Sequence, residues 1–338
     1  MEGFILRHKS DNQGSQSWLN ETRNSIGGSS VAYFTGKGYG SLEEFIVNRV
    51  FKKEYSNIAM NFGSIMEDVL PKYLNLKYGI ENYSLGAVPY LIENEKLMAH
   101  YSMDGIFKYN MHNIEPFFED KEQVCLLEIK FPYSRELKKY KTNRAGIKDS
   151  CCIPFGYQDQ IKMGLIVIEP CEVGVFTDCF ARFCTLDQLK DSKWNQYSPL
   201  HTEVKNEIKQ VLASGVIKIF GTKSRYTNDL GYKNEPIDFG DKYFKIIQIV
   251  QEDKKSINEL KVEYVLNLGL KEVAIENDDN LLGYIPFKLF DVYFGIVEKD
   301  PHFLDDKIER MKKVSELLYN LENLSDEEKI QRLSNLII

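Results

Sequence analysis

The sequence predicts an α/β fold in which a mixed sheet is flanked by helices and a large insertion follows the core. Three patterns predict it. Leu126-Leu127-Glu128-Ile129-Lys130-Phe131 reads as a buried strand, with side chains alternating between two faces. Met66, Leu70, Tyr73 and Leu74 recur at helical spacing on one helix running to about Tyr78. Pro154 suits a helix start, and Glu169-Pro170 ends the apolar run that follows it.

Taken in order, an N-terminal helical region leads into a sheet built from segments around Asp104, Glu128 and Val173–Phe180, with the Tyr157–Ile168 helix packed on it. These make a core over residues 1–188. Residues 189–279 have a less regular pattern with evenly mixed charge and read as an insertion subdomain. Residues 280–338 return as a strand and helices on the core. There Leu304, Ile308, Met311, Val314, Leu317 and Leu318 form an amphipathic stripe, and Ser325 with Glu328 makes a capping box.

With 338 residues, 43% of them hydrophobic, the chain can bury one large core. It has no apolar run near the ~20 residues that cross a bilayer. Its start lacks a secretory apolar stretch, so no membrane partner and no secretion are expected. The six cysteines include no Cys-x-x-Cys pair, which disfavours an iron–sulfur cluster and suits buried thiols in a reducing compartment. A net charge of −7 argues against coating DNA through global charge.

The chemistry begins on the buried strand. Glu128 and Lys130 project to one side, Leu127 and Ile129 to the other. A carboxylate that holds a divalent cation, beside an ammonium that orients water, is what metal-assisted phosphodiester cleavage needs. Alone, Glu-x-Lys is more often an ordinary surface pair. Three further features occur in chain order. Asp104, in Tyr101-Ser102-Met103-Asp104-Gly105, is a turn aspartate at a hairpin bend that becomes a second metal ligand if its segment pairs with the Glu128 strand. Glu67 lies ~100° off the apolar stripe of its helix, at the border of core and cleft, or is simply solvated. Tyr157, Gln160 and Gly164 share one helix face, which would carry Gln160 toward the metal site. Arg135, Lys138, Lys139, Lys141, Arg144 and Lys148 follow the Glu-x-Lys strand, either as a solvated loop or as a DNA-backbone contact.

These residues resemble the PD-(D/E)XK nuclease superfamily, and within it the lambda exonuclease or YqaJ-like viral recombinase branch. The resemblance runs from about Gln16 to Thr185. It rests on Trp18 through Ser30, on Gly63 and Glu67, on Ser102 to Gly105, on Glu128 to Pro132, and on Tyr157 with Gln160. Phe180 to Leu189, Leu282 to Phe290 and Lys299 to Leu304 are similar to the lambda-like exonucleases of large cytoplasmic DNA viruses. In one departure, Arg23 lies five residues after Trp18, whereas the phage enzyme spaces the pair by four.

The resemblance implies a restriction-endonuclease-like core and a 5′→3′ exonuclease on double-stranded DNA ends, using Mg²⁺ or Mn²⁺. It implies Asp104, Glu128 and the Ile129 carbonyl as metal ligands, Glu67 at a second ion or its water, Lys130 positioning the nucleophile and Gln160 ordering the network. Arg23, Ser29 and Ser102 would grip the terminal phosphate. The product, a 3′ single strand, suits a single-strand annealing partner in viral recombination, replication or repair in the host cytoplasm. A superfamily endonuclease and a non-catalytic DNA-end-binding protein are the alternatives, and the oligomeric state stays open.

Overall fold

A computed structural model describes residues 25–38, 40–51, 58–92, 96–133, 153–185, 189, 211–221, 243–251 and 280–334. The described chain opens with a short strand, β1 (Ile26–Gly27), a tight 3-10 turn (Gly28–Ser30), and helices α1 (Val31–Phe34) and α2 (Leu42–Val50). Ser41 and Glu44 cap α2 reciprocally, each side chain bonding the other's backbone N–H at 3.1 Å.

The Met66–Leu74 stripe is buried as its spacing predicts, but it spans two helices rather than one, α3 (Ile58–Met66) and α4 (Val69–Tyr78). Pro71 explains the break. It has no N–H to donate to the carbonyl of residue 67, and its ring crowds that carbonyl. Glu67 therefore stands in a turn between helices.

Two sheets follow. The smaller joins β1, β3 (Lys96–Ser102) and β2 (Ala87–Ile92) in that order. The larger has six strands: β4 (Gly105–Tyr109), β5 (Gln123–Lys130), β6 (Val173–Phe183), β9 (Asn280–Glu298), β7 (Ala213–Gly221) and β8 (Tyr243–Gln251), in that spatial order. In the small sheet β1 and β3 run parallel; in the large one, among the described residues, only β5 and β6 do, and helix α5 (Phe155–Val167) is in the crossover between them. Two strands of the segment read as an insertion, β7 and β8, thus extend the main sheet, paired to it through β9.

Among the described residues, the large sheet around β5 and β6 is buried on both faces. On one face Leu127, Ile129, Val175 and Ile217 pack with Phe62, Met66, Leu70 and Tyr73 from α3 and α4. On the other, Ile106, Leu126, Phe176 and Val297 pack with Tyr101, Ile161 and Leu165, and with Met311 and Leu318 of α6 (Ile308–Leu321). The last helix, α7 (Asp326–Ser334), begins with the expected capping box, Ser325 N to Glu328 at 2.9 Å and Glu328 N to Ser325 Oγ at 3.3 Å. Among the described residues no helix is long and apolar enough to cross a membrane.

Candidate active site

The face carrying α5 is where the polar residues of β5 emerge. Leu127 and Ile129 fill the opposite core, so strict alternation forces Glu128 and Lys130 under α5. Glu128 is 1% exposed, and a carboxylate there must be fully hydrogen-bonded. It is. Lys130 Nζ donates to Oε1 at 2.5 Å, Gln160 Nε2 donates to the same oxygen at 2.7 Å, and the Tyr101 hydroxyl donates to Oε2 at 2.9 Å. The Glu128 carbonyl accepts from Thr177 Oγ1 on β6 at 3.1 Å, which fixes the strand beneath the carboxylate.

Gln160 reaches Glu128 because α5 lies almost against β3 and β5. A Cβ at Gly164, one turn further along, would fall 2.5 Å from the Tyr101 ring and 2.6 Å from Leu126. Only glycine permits that approach. Tyr157, on the same helix face, stacks on Phe176 with centroids 5.5 Å apart, and Lys130 Nζ lies 5.2 Å from its ring centroid. The lysine is thus held between a carboxylate and an aromatic face.

Asp104 enters from the neighbouring strand. Gly105 is paired with Leu127 in the β4–β5 ladder, and Asp104 Oδ2 accepts the Ile129 N–H at 2.6 Å. The aspartate does not sit at a hairpin bend, however. It occupies the passage from the small sheet to the large one, because β3 and β4 belong to different sheets. Asn82 Nδ2 donates to the Asp104 carbonyl at 3.2 Å and packs so close that any Cβ at Gly105 would overlap it.

Burial, then the charges of Glu128 and Glu67, push the Asp104 carboxyl well above its ordinary pKa. Burial alone would lower the Lys130 ammonium, but the Glu128 and Asp104 carboxylates outweigh it and hold the group charged. Among the described residues the site therefore crowds Asp104, Glu128 and Glu67 around one ammonium, and Asp104 resists ionising there. That donor chemistry fits a hard divalent cation, which takes a few carboxylates and completes its shell with water and phosphate oxygens. Among the described residues no three or more His, Cys, Asp or Glu side chains close into a ready-made cage.

Of the remaining predicted residues, Ser29 is exposed in the 3-10 turn, and Gly28 beside it packs on the Tyr101 ring. Ser102 is half-buried, and its Oγ has no hydrogen-bond partner among the described residues. Arg23, Arg135, Lys138, Lys139, Lys141, Arg144 and Lys148 lie outside the described residues. Tyr101, Thr177 and Asn82 were missed as site residues. Tyr101 carries a weak signal, being a hydroxyl-bearing side chain three residues before Asp104, between His100 and Ser102. Thr177 and Asn82 carried none.

Three comparisons bear on this arrangement. Residues 17–178 match the YqaJ-like viral recombinase domain. A curated protein of African swine fever virus, from a tick isolate of Malawi, is 26% identical over 91% of this chain and 86% of its own length. A second isolate's protein, from South Africa, is 24% identical over the same shares. Among solved structures the chain is similar to an alkaline exonuclease from Laribacter hongkongensis, at 16% identity and a TM-score of 0.35 over 49% of this chain and 74% of that one. It is also similar to a phage-related exonuclease from Haemophilus somnus, at 9% identity and a TM-score of 0.36 over 88% and 93%. The match to the YqaJ-like viral recombinase domain spans every motif that meets around Glu128.

Proposed function

We propose that this chain is a metal-dependent deoxyribonuclease that degrades double-stranded DNA from its ends in the 5′→3′ direction. The observation that carries the reading is the convergence of Lys130, Gln160 and Tyr101 on Glu128, with Asp104 on the Ile129 N–H beside it, inside the segment that matches a viral recombinase family. Asp104, Glu128 and the Ile129 carbonyl would hold Mg²⁺ or Mn²⁺, with Glu67 toward a second ion or its water. Such an ion supplies Lewis-acid activation of the phosphate and a more acidic bound water.

The chain's own groups do the rest. Lys130 orients the attacking water and offsets charge on the phosphorane oxygens. Gln160 and Tyr101 hold Glu128 in one rotamer, leaving Lys130 fixed beside it. Ser29 and Ser102, with Arg23, would receive the terminal phosphate, and the unsatisfied Ser102 hydroxyl gives that role support. The Arg135–Lys148 stretch would follow the DNA backbone. The 3′ single strand left behind would pass to an annealing protein during viral recombination or repair.

The test is digestion of end-labelled linear duplex with Mg²⁺, comparing 5′-phosphate with 5′-hydroxyl ends and linear with closed-circular DNA. Mononucleotides released from the 5′ end of linear DNA alone are expected. Cutting of closed circles would make the protein an endonuclease, and binding without cleavage would make it an end-binding protein.

A further inference from the structure

Helix α5 has a second polar contact that catalysis does not use. Asp159, next to Gln160, is 1% exposed and faces the segment after α1. It accepts from Thr35 Oγ1 at 2.6 Å and pairs with Lys37 Nζ at 3.3 Å. The Lys37 backbone is pinned too, its N–H bonded to the Ala32 carbonyl at 2.9 Å. A buried carboxylate carries a desolvation penalty of several kcal/mol, so its partners are held firmly.

Lys37 nevertheless reaches solvent, with 43% of its side chain exposed. Its ammonium lies 5.2 Å from the ring centroid of Phe155, and Phe155 is itself 63% exposed at the start of α5. A large aromatic left this open, beside a cation fixed by a buried acid, is not core packing. Phe155 precedes Gln160 by five residues, about 7.5 Å along the helix axis. The two residues are also about 140° apart around that axis, so the ring marks the N-terminal end of α5 rather than the Gln160 face.

We infer that Lys37 and Phe155 form a clamp for the DNA end, in which the outermost base stacks on the Phe155 face opposite the Lys37 ammonium and Lys37 receives its flanking phosphate, with Asp159 as the positioning residue. An aromatic platform beside a cation binds nucleic acid with little sequence preference, because every base presents a π-face. The clamp rests on the nuclease reading and deepens it.

The test uses the full chain and linear duplex with 2-aminopurine as its outermost base, read by fluorescence and by equilibrium binding. Native protein should quench the probe. Phe155→Ala should abolish the quench and weaken end binding roughly tenfold, and Phe155→Trp should restore both. Lys37→Ala and Asp159→Asn should weaken binding most at low salt and flatten the dependence of log affinity on log salt by up to ~0.9, the value for one phosphate contact, with Lys37→Arg restoring it. Full quench and native affinity in a Phe155→Ala protein with an unchanged melting temperature would overturn the clamp. Phe155-dependent quenching in a protein that never cleaves DNA would uphold the clamp and sink the exonuclease reading.

Discussion

Gly164→Ala should inactivate this protein while costing it little stability. In the interior of an exposed helix the same change stabilises by about 1 kcal/mol, because glycine has more backbone entropy to lose. Here the new Cβ would stand 2.5 Å from Tyr101 Cζ, 2.6 Å from Leu126 Cδ2 and 2.7 Å from Tyr101 Cε2. The carbon–carbon optimum is ~3.5–4.0 Å, so the contact is relieved only by a displacement of about 1 Å. Tyr101 and Leu126 are fully buried and have nowhere to go, so α5 must move. Overpacking of this kind costs about 1–3 kcal/mol, and the helix-propensity gain offsets part of it, leaving a loss of ~0–2 kcal/mol. The same 1 Å would stretch the Gln160–Glu128 bond from 2.7 Å past hydrogen-bonding range. Misplacement on that scale lowers turnover by about a hundredfold. Urea unfolding and single-turnover cleavage of linear duplex measure the two effects separately. A Gly164→Ala protein within roughly threefold of native turnover would refute the account of how α5 is positioned.

Glu128→Gln and Lys130→Ala should each abolish cleavage with the fold intact by circular dichroism, and robust cleavage by Lys130→Ala would remove the basis of the mechanism. Asp104→Asn should abolish cleavage too, yet raise the stability of metal-free protein at neutral pH. The Asp104 pKa is raised on folding, so its ionised form opposes the fold once pH exceeds the unfolded value; equal or lower melting temperature in the variant would contradict this. His100, buried and bonded to Ser25 Oγ at 2.5 Å, is pushed down to about 4 by burial and then by Arg49. Its folded pKa is depressed, so the stability it contributes is complete above ~6.5 and fades as pH falls toward 4, by about 2 kcal/mol at pH 5. A His100→Gln protein should lose that acid sensitivity in urea titrations at pH 7 and 5. Replacing Lys138, Lys139 and Lys141 with alanine should flatten the salt dependence of log affinity by at most ~2.7 if all three meet phosphates, and an unchanged slope would place them in solvent.

The local chemistry of the site was legible in the chain because it depends on short-range rules. Alternation along β5 separates Glu128 and Lys130 from Leu127 and Ile129, and helical spacing puts Tyr157, Gln160 and Gly164 on one face. Those periods are properties of the backbone and need no partner. The two-helix form of the Met66–Leu74 stripe was also within reach, since Pro71 marks it, but apolar periodicity alone runs through the break. What periodicity cannot carry is which strand lies beside which. Asp104 looks like a hairpin turn until β3 and β4 are seen to part into different sheets, with the aspartate carboxylate on the Ile129 N–H of β5. Within the segment 189–279, read as an insertion, periodicity does not say that β7 joins the main sheet, which it does because β9, with a register shift at Phe290, pairs with both β6 and β7. Tyr101, Thr177 and the Asp159–Lys37 pair enter the same way, through contacts spanning 27, 49 and 122 residues. Such contacts form because a buried carboxylate must find donors wherever the folded chain supplies them. Short-range periodicity thus sets which polar groups share a face, and long-range pairing sets which of them meet at Glu128.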